Sequence, residues 1–257
     1  MARQFDLNSD MGESFGWYKH GVDEDIIRSI TSANLGCGFH GGDPSVMRRS
    51  VQLAKEHGVA VGAHPGFPDL MGFGRRNLNA KPAEVKDYVT YQVGALQAFC
   101  KAAGVPLQHV KPHGALYMMA LEDEALAEAI VEAILELDDR LLLYTTGDTA
   151  AEDAARRKGL RVVREFFGDR PLHSGGWVMF GYDLKDAGGG TPEGIAQRAV
   201  QVVTQGKTVT TDGKTIDFEV DSICIHSDTP GSAQFMSAVR RELEAAGVEV
   251  RPAGTYL

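Results

Sequence analysis

Short apolar runs that each end in polar, ionisable residues recur along this chain and alternate with amphipathic segments. Residues 5–8, 59–63 and 222–225 have the length and the apolar character of buried strands. Helical patterns lie between such runs, most clearly over residues 81–104, where Val and Leu recur at three- and four-residue spacing. Repeated alternation of strand and helix predicts a parallel sheet of the α/β class.

The distribution of the polar strand ends favours a barrel over an open sheet. They follow nearly every predicted strand, whereas an open sheet concentrates its ligand groups at one switch point. A chain of 257 residues without a linker suits one (β/α) barrel that spans residues 1–257 as a single domain. Because the carboxyl ends of all barrel strands share one face, side chains from distant segments should converge there.

Composition and charge argue against several classes of function. The net charge of −9 and the pI of about 5.4 argue against a surface for nucleic acid or for an anionic membrane. The three cysteines are scattered, as expected of reduced thiols in a cytoplasmic protein. We find neither a secretory signal pattern nor an apolar run of the ~18 residues that a membrane span requires.

The first predicted strand ends in three groups suited to acid–base chemistry or to metal binding. Asn8 and Asp10 are two residues apart, so an extended chain directs both side chains to one face. Glu13 follows closely, and a carboxylate at a strand end can serve as general base or as metal ligand. We predict that Asn8 and Glu13 contribute to substrate binding. A solvated turn with a helix cap would also explain an isolated acidic pair.

A glycine-rich segment follows the second predicted strand. Asn34 precedes it, His40 lies within it, and its glycines would allow the backbone to approach a ligand closely. The next helix starts at Pro44, where free backbone amides and the helix dipole could bind an anion. We therefore predict that Asn34 and His40 contribute to substrate binding, although a lone histidine is more often structural.

The third and fourth predicted strands end in His64 and Lys111. A buried lysine at a strand end is costly unless it is paired or functional. His113 shares the face of Lys111 at two-residue spacing. Stabilisation of an oxyanion and acid–base catalysis are the roles that these residue types favour.

Later segments add charged groups of both signs. The loop over residues 67–77 is long enough for a lid, and Arg75 or Arg76 in it could bind a substrate carboxylate. Two solvated arginines on a surface loop are the alternative. Four more candidates for substrate binding follow two later strands: Asp169, Arg170, His226 and Asp228.

Sequence motifs for bound cofactors are missing. There is no GxxxxGK[ST] phosphate loop, no GxGxxG after a strand, and no HxH or HExxH spacing. We therefore predict no tightly bound metal. If a metal binds, the candidate ligands are Asp10, His40, His64 and His113.

Five long motifs resemble the LamB/YcsF family, and together they cover nearly the whole chain. They are DLNSDMGE from Asp6, SAN with HGGDP up to Pro44, GAHPG with GFGRR up to Arg76, HVKPHGALY from His109, and HSDTPG from His226. The resemblance implies an irregular seven-stranded (β/α) barrel, similar to the glycoside hydrolase/deacetylase folds.

The same resemblance implies an activity. The family contains the A subunit of the bacterial ATP-dependent 5-oxoprolinase, a cyclic amide hydrolase. With partner subunits B and C it would open the lactam of 5-oxoproline (pyroglutamate) to L-glutamate. ATP, with or without Mg²⁺, would be a cosubstrate held either by this barrel or by a partner. The oligomeric state, including a homo-oligomer, is left open.

The residues can be fitted to this chemistry. Four of them would act as base or as stabilisers of an oxyanion or phosphate: Asp10 or His64 in the first role, Lys111 and His113 in the second. The substrate carboxylate would bind Arg75 or Arg76, and an anion would bind the helix start at Pro44 or Pro230.

The chain departs from the family pattern, and two rival functions stay open. Ser9 and Ser227 replace the usual Cys and Gly, residues 145–148 replace a glycine-rich segment, and residues 171–180 lack an expected arginine. The rivals are a metal-dependent deacetylase or carbohydrate hydrolase and a non-catalytic subunit that binds substrate or nucleotide. The density of ionisable strand ends favours an enzyme.

Overall fold

The computed structural model describes residues 3–173 and 183–257, which alternate between strands and helices as predicted. The strands are β1 (Gln4–Met11), β2 (Ser32–Gly36), β3 (Ala60–His64), β4 (Leu107–Val110), β5 (Leu142–Thr145), β6 (Arg161–Phe167), β7 (Lys207–Val209), β8 (Thr215–Asp217), β9 (Ser222–Cys224) and β10 (Glu249–Val250). The helices are α1 (Asp23–Ile26), α2 (Pro44–His57), α3 (Pro82–Ala103), α4 (Gly114–Glu122), α5 (Glu124–Leu137), α6 (Ala150–Lys158), α7 (Pro192–Gln205) and α8 (Ser232–Ala245).

Seven parallel strands of the described chain close the barrel: β1, β2, β3, β4, β5, β6 and β9, in that order. Strand β9 closes the ring because it pairs with β6 on one side and with β1 on the other. Strand β10 pairs with the first two residues of β1, and β7 with β8 forms an antiparallel hairpin. The predicted seven-stranded barrel is therefore confirmed.

The helices bury the stripes that their spacing predicts. In α3, Val85, Val89, Val93 and Leu96 are fully buried. Pro82 opens this helix at a position where its missing N–H costs nothing, and Gly104 ends it with a φ of 68°. None of the described helices is both long enough and apolar enough to span a bilayer.

The inside of the barrel is polar, because alternate residues of β1 direct Asp6, Asn8 and Asp10 inward. Four hydroxyl groups donate to Asp6 at the amino end: those of Thr31, Ser32, Tyr144 and Ser222. Burial raises the pKa of Asp6 and outweighs these hydrogen bonds, which lower it. Asp10 lies at the other end, where the barrel opens.

Two elements differ from the prediction. The spacing predicts a helix over residues 23–30, but α1 ends at Ile26. Helix α4 is not among the predicted helices. Gly114 adopts a φ of 52° and turns the chain directly from the strand end into the helix. This turn brings the first residues of α4 to the carboxyl end of the barrel.

Candidate functional site

A cavity of about 240 Å³ opens at the carboxyl ends of the barrel strands. Its lining consists of Asp10, His64, Arg75, Lys111, Pro112, His113, Gly114, Tyr117, Met118, Phe167, Arg170, His226, Asp228, Thr229 and Pro230. Eight of the predicted site residues are among them, so side chains from distant segments do meet at one rim.

Lys111 is a buried cation in the cavity wall. Its Nζ lies 3.0 Å from Asp10 Oδ1, 3.1 Å from Glu165 Oε2 and 3.1 Å from Cys224 Sγ. Burial alone would lower the pKa of Lys111, but Asp10, Cys224 and Glu165 hold it well above its usual value. Burial would likewise raise the pKa of Asp10, but His64 and Lys111 hold it well below its usual value. Lys111 and Asp10 are therefore both charged at neutral pH.

His226 and Asp169 form a second pair beside Asp10. Asp169 accepts hydrogen bonds from His226 Nδ1 at 3.0 Å, Thr229 Oγ1 at 2.5 Å and an Arg170 guanidinium N–H at 2.9 Å. Burial would raise the pKa of Asp169, but His226 and Arg170 hold it well below its usual value. Since the carboxylate engages Nδ1–H, the neutral ring presents an unprotonated Nε2, 3.7 Å from Asp10 Oδ2. This nitrogen can accept a proton from water.

Three imidazoles and Glu13 form a buried cluster next to Asp10. His64 Nε2 lies 2.9 Å from His113 Nδ1 and 3.3 Å from Asp10 Oδ2. The His40 ring stacks on His113 with centroids 3.6 Å apart, and its Nε2 is 2.9 Å from Glu13 Oε1. Burial lowers the pKa values of His40 and His113 and raises that of Glu13. Burial therefore favours the uncharged forms of His40, His113 and Glu13.

Two groups of described side chains have the composition and spacing to hold a metal ion. In each group, every residue offers one ligand atom within 4.8 Å of the others. The groups are Glu13 with His40, His64 and His113, and Asp10 with Cys224 and His226. The first group differs from the predicted set, because Glu13 takes the place of Asp10.

Of the two arginines predicted to hold a carboxylate, Arg75 lines the cavity and Arg76 does not. An Arg75 NH2 donates to Asp228 Oδ2 at 2.6 Å, and its guanidinium lies 5.0 Å from the centre of the Phe73 ring. Arg76 pairs with Asp69 and is mostly exposed. Arg75 is therefore the arginine placed to contact a ligand.

Asn8 and Asn34 lie inside the barrel beneath the cavity rather than in its lining. Asn34 Nδ2 donates to Asn8 Oδ1 and to Asp10 Oδ1, both at 2.8 Å. Asn34 Oδ1 is in turn 2.7 Å from His109 Nε2. The structure thus places Asn8 and Asn34 against Asp10 inside the barrel, and their predicted contribution to substrate binding stays a prediction.

Gly36, the last residue of β2, and Gly41 in the following loop approach protein backbone rather than the cavity. A Cβ at Gly36 would lie 2.8 Å from the carbonyl oxygen of Gly12, and one at Gly41 would lie 2.9 Å from that of Glu13. The sequence predicts that these glycines let the backbone approach a ligand closely. In the structure they instead let this segment pack closely against the loop that carries Glu13.

The anion-binding position predicted at the start of α2, at Pro44, is already occupied by the side chain of Asp43. Asp43 Oδ1 accepts hydrogen bonds from the amides of Ser45 and Val46 at 2.7 and 2.9 Å. These are the amides that an anion would use. The alternative at Pro230 differs, because Pro230 lines the cavity and α8 has no side-chain cap.

Several lining and neighbouring residues are not singled out by the sequence patterns. Phe167 forms a wall, 5.1 Å from Lys111 Nζ and 5.1 Å from the His226 ring, and Glu165 pairs with Lys111. The two-residue period of β6 places Glu165 and Phe167 on one face, so this alternation could have identified them. Tyr117 reaches the cavity from α4, which the sequence does not predict.

The structure describes most of the positions at which this chain departs from the family pattern. Ser9 Oγ donates to the carbonyl oxygen of Ile225 at 2.6 Å, within the barrel wall. Ser227 is buried, and Thr146 Oγ1 donates to the carbonyl oxygen of Glu165 at 3.2 Å. Residues 174–180 of the last departure lie outside the described residues.

Comparison with known proteins agrees with these observations. The sequence profile of the LamB/YcsF family matches residues 5–257. The chain is 47% identical to the A subunit of 5-oxoprolinase from Pyrococcus furiosus, with 98% of each chain covered. It is 45% identical to the A subunit of 5-oxoprolinase from Bacillus subtilis, with 96% of each covered.

Two solved structures support the fold. A lactam utilization protein from Thermus thermophilus matches with a TM-score of 0.90 and 48% identity, covering 96% of this chain and 99% of that one. A family 4 carbohydrate esterase from Streptomyces lividans matches with a TM-score of 0.50 and 12% identity, covering 100% and 96%. At that identity the esterase shows the fold alone, and it agrees with the predicted deacetylase-like barrel.

Proposed function

This chain belongs to the LamB/YcsF family, and on that basis we propose that it is the A subunit of an ATP-dependent 5-oxoprolinase. Relatives with this name match over nearly their full length. The chain would open the lactam of 5-oxoproline to L-glutamate in a complex with partner subunits B and C. The complex would work in the cytoplasm, where ATP is available and the three unpaired cysteines stay reduced.

The observation that carries this function is the combination of groups around one small cavity. His226 offers a proton-accepting nitrogen, Lys111 a buried positive charge, and Arg75 with Arg170 a cationic rim. Hydrolysis of a lactam that bears a carboxylate needs these three functions: proton removal from water, stabilisation of the carbonyl oxygen, and anchorage of the acid.

The substrate would enter with its carboxylate towards the arginines. Arg75 and Arg170 both pair with Asp228 at the cavity rim, so a substrate carboxylate would compete with Asp228 for their N–H groups. This arrangement would direct the lactam carbonyl towards Lys111 in the cavity wall. The uncapped amino end of α8 beside Pro230 would add a further attraction for the anion.

Ring opening would then follow in two proton transfers. A water between His226 Nε2 and Asp10 Oδ2 adds to the carbonyl carbon, and His226 takes its proton while Lys111 stabilises the oxyanion. The ring C–N bond breaks and the nitrogen receives the proton. Because the lactam oxygen carries a phosphoryl group from ATP, the open product is γ-glutamyl phosphate, which a second water hydrolyses to L-glutamate and phosphate. His64 is less suited as base, because its Nδ1 is held by the carbonyl of Lys111 and its Nε2 faces His113.

We place the ATP site on another subunit of the complex. The cavity of about 240 Å³ has the volume of roughly eight waters at ~30 Å³ each, which suits a small acid better than a nucleotide. ATP would phosphorylate the lactam oxygen on the partner and leave as ADP, and this barrel would supply the two waters that open the ring and release phosphate.

The test is glutamate release from 5-oxoproline and ATP by the reconstituted complex. We expect turnover with all subunits and none with this chain alone. His226→Gln should lower kcat by about 10²–10⁴-fold, because glutamine cannot take a proton from water. His57→Gln, on the exposed end of α2, is the matched control and should leave kcat unchanged. A complex that works equally well without this chain would refute the proposed function.

A further inference from the structure

We propose that His64, His113 and Glu13 bind a divalent transition-metal ion such as Zn²⁺ at the edge of the cavity. The inference goes beyond the proposed function, because metal binding does not depend on which substrate fills the cavity. It also revises the sequence-based expectation that no metal is tightly bound.

The first observation is the direction of the ring nitrogens. His64 Nδ1 lies 2.7 Å from the carbonyl oxygen of Lys111, and His113 Nε2 lies 2.7 Å from that of Phe73. A carbonyl oxygen only accepts, so both of these nitrogens carry the proton. The other nitrogen of each neutral ring is then a lone pair.

Those two lone pairs point at each other. His64 Nε2 and His113 Nδ1 are 2.9 Å apart and both are buried, and in the neutral rings these two nitrogens carry no proton to donate. Two acceptors at this distance repel unless a cation lies between or beside them. Histidine ligands of metal ions typically have this arrangement, with the outer N–H fixed by a backbone carbonyl.

The third donor distinguishes a metal ion from a shared proton. Glu13 Oε1 lies 3.4 Å from His113 Nδ1 and 3.8 Å from His64 Nε2. Bonds of 2.0–2.1 Å in a tetrahedral zinc site separate the ligand atoms by roughly 3.3 Å. The three separations bracket that value, whereas a proton would bridge only two of the three atoms.

His40 acts through Glu13 rather than as a ligand. Its Nδ1 is buried and has no hydrogen-bond partner among the described residues. A proton there would be an unpaired donor, so the ring carries its proton on Nε2, which donates to Glu13 Oε1 at 2.9 Å. This hydrogen bond orients the carboxylate towards the two imidazoles.

Three protein ligands leave one position of a tetrahedral ion open. His64 and His113 line the cavity, so the open position faces it, and Asp10 Oδ2 lies beside it at 3.3 Å from His64 Nε2. Hydrolytic zinc sites have this composition, with a water in the fourth place. The class of ligand expected there is water or the carbonyl oxygen of a substrate.

The test is metal binding by the purified full-length chain, without any assay of turnover. After removal of metal with a chelator, we expect one Zn²⁺ per chain by calorimetry and elemental analysis, together with a rise in Tm. Bound Co²⁺ should give the visible absorption of a four-coordinate site. Absence of stoichiometric binding would overturn the proposal.

Variants identify the ligands. His113→Gln and Glu13→Gln should each weaken Zn²⁺ binding by more than tenfold, and His40→Asn by about 10–100-fold. His57→Gln should bind as the wild type does. If His113→Gln does not fold, Glu13→Gln, which keeps the side-chain size, decides the question. Wild-type affinity in the folded variants would place the ion elsewhere and refute this site.

Discussion

At the scale of single residues, the site depends on buried charges that are stable only as a set. Lys111 is enclosed by Asp10 and Glu165, and all three side chains are almost completely buried. An ion pair of this kind gains little over an apolar core while it is complete. Removing one partner leaves an uncompensated charge in the interior.

Replacement of Lys111 by Met should therefore affect both stability and activity. We expect the free energy of unfolding to fall by about 3–5 kcal/mol, because Asp10 and Glu165 lose their shared cation. Turnover of the reconstituted complex should be abolished, since no positive charge remains beside the carbonyl oxygen. Urea denaturation and glutamate release measure the two effects separately.

The double variant Lys111→Met with Glu165→Gln is the control for this charge argument. Removing one of the two uncompensated carboxylates should restore part of the lost stability while turnover stays abolished. If the double variant is as unstable as Lys111→Met alone, the loss comes from packing and the electrostatic explanation is wrong.

Individual residues also show which parts of the site can be predicted from sequence patterns. The rule that polar groups follow barrel strands finds Asp10, His64 and Lys111, which all line the cavity. It cannot separate Asp10 from Asn8, because a two-residue period fixes the face of a strand and not the depth along the barrel. Only the observed register shows that Asn8 lies one layer below the opening.

At the scale of secondary-structure elements, the packing of β3 against β4 depends on a glycine. A Cβ at Gly62 would lie 1.9 Å from His109 Nε2, and the His109 ring is held in place by Asn34. Because Gly62 has no side chain, β3 leaves room for the buried His109 ring of the neighbouring strand β4. Gly94, in the middle of α3, has no atom within 4 Å of such a Cβ.

The two glycines should respond to alanine in opposite directions. Gly62→Ala should lower the free energy of unfolding by about 1–3 kcal/mol or more, because the strands must separate to admit the methyl group. Gly94→Ala should raise it by about 0.5–1 kcal/mol, because alanine is the better residue inside a helix. Urea denaturation of both variants checks the signs, and a neutral Gly62→Ala would contradict the observed contact.

Helices α3 and α4 show why the sequence predicts some elements and not others. Helix α3 follows from its apolar stripe, and its boundaries from Pro82 and Gly104. Helix α4 does not, because its first residue, Gly114, has a positive φ, and a glycine of this kind more often belongs to a loop. The meaning of a glycine depends on the atoms around it, which the sequence does not contain.

At the scale of the whole molecule, closure of the barrel brings residues from motifs that are far apart in the sequence into one site. Strand β9 joins β1 to β6, and this closure brings His226 within 3.7 Å of Asp10. The sequence predicts the barrel and the shared rim. It does not predict which histidine faces which carboxylate, because that depends on the turns after each strand.

The rim also carries exposed apolar side chains that the barrel itself does not use. Trp17 is 100% exposed, Tyr18 80% and Met71 92%. They lie on the loops after β1 and β3, which meet where the rings of His20 and Phe73 are 4.5 Å apart. Exposed apolar groups of this kind commonly mark protein interfaces, so we expect this surface to contact another subunit of the proposed complex.

Trp17→Ala should therefore weaken assembly of the complex without weakening the barrel. Loss of a large aromatic contact typically costs an interface more than ~1.4 kcal/mol, so the Kd for the partner should rise at least tenfold. The Tm of the isolated chain should not change, because Trp17 is fully exposed. Leu257→Ser is the matched control, since Leu257 contacts Arg161 at the opposite end of the barrel and is also exposed. If Trp17→Ala binds the partner as tightly as Leu257→Ser does, the partner docks elsewhere and delivers its product to the cavity from another side.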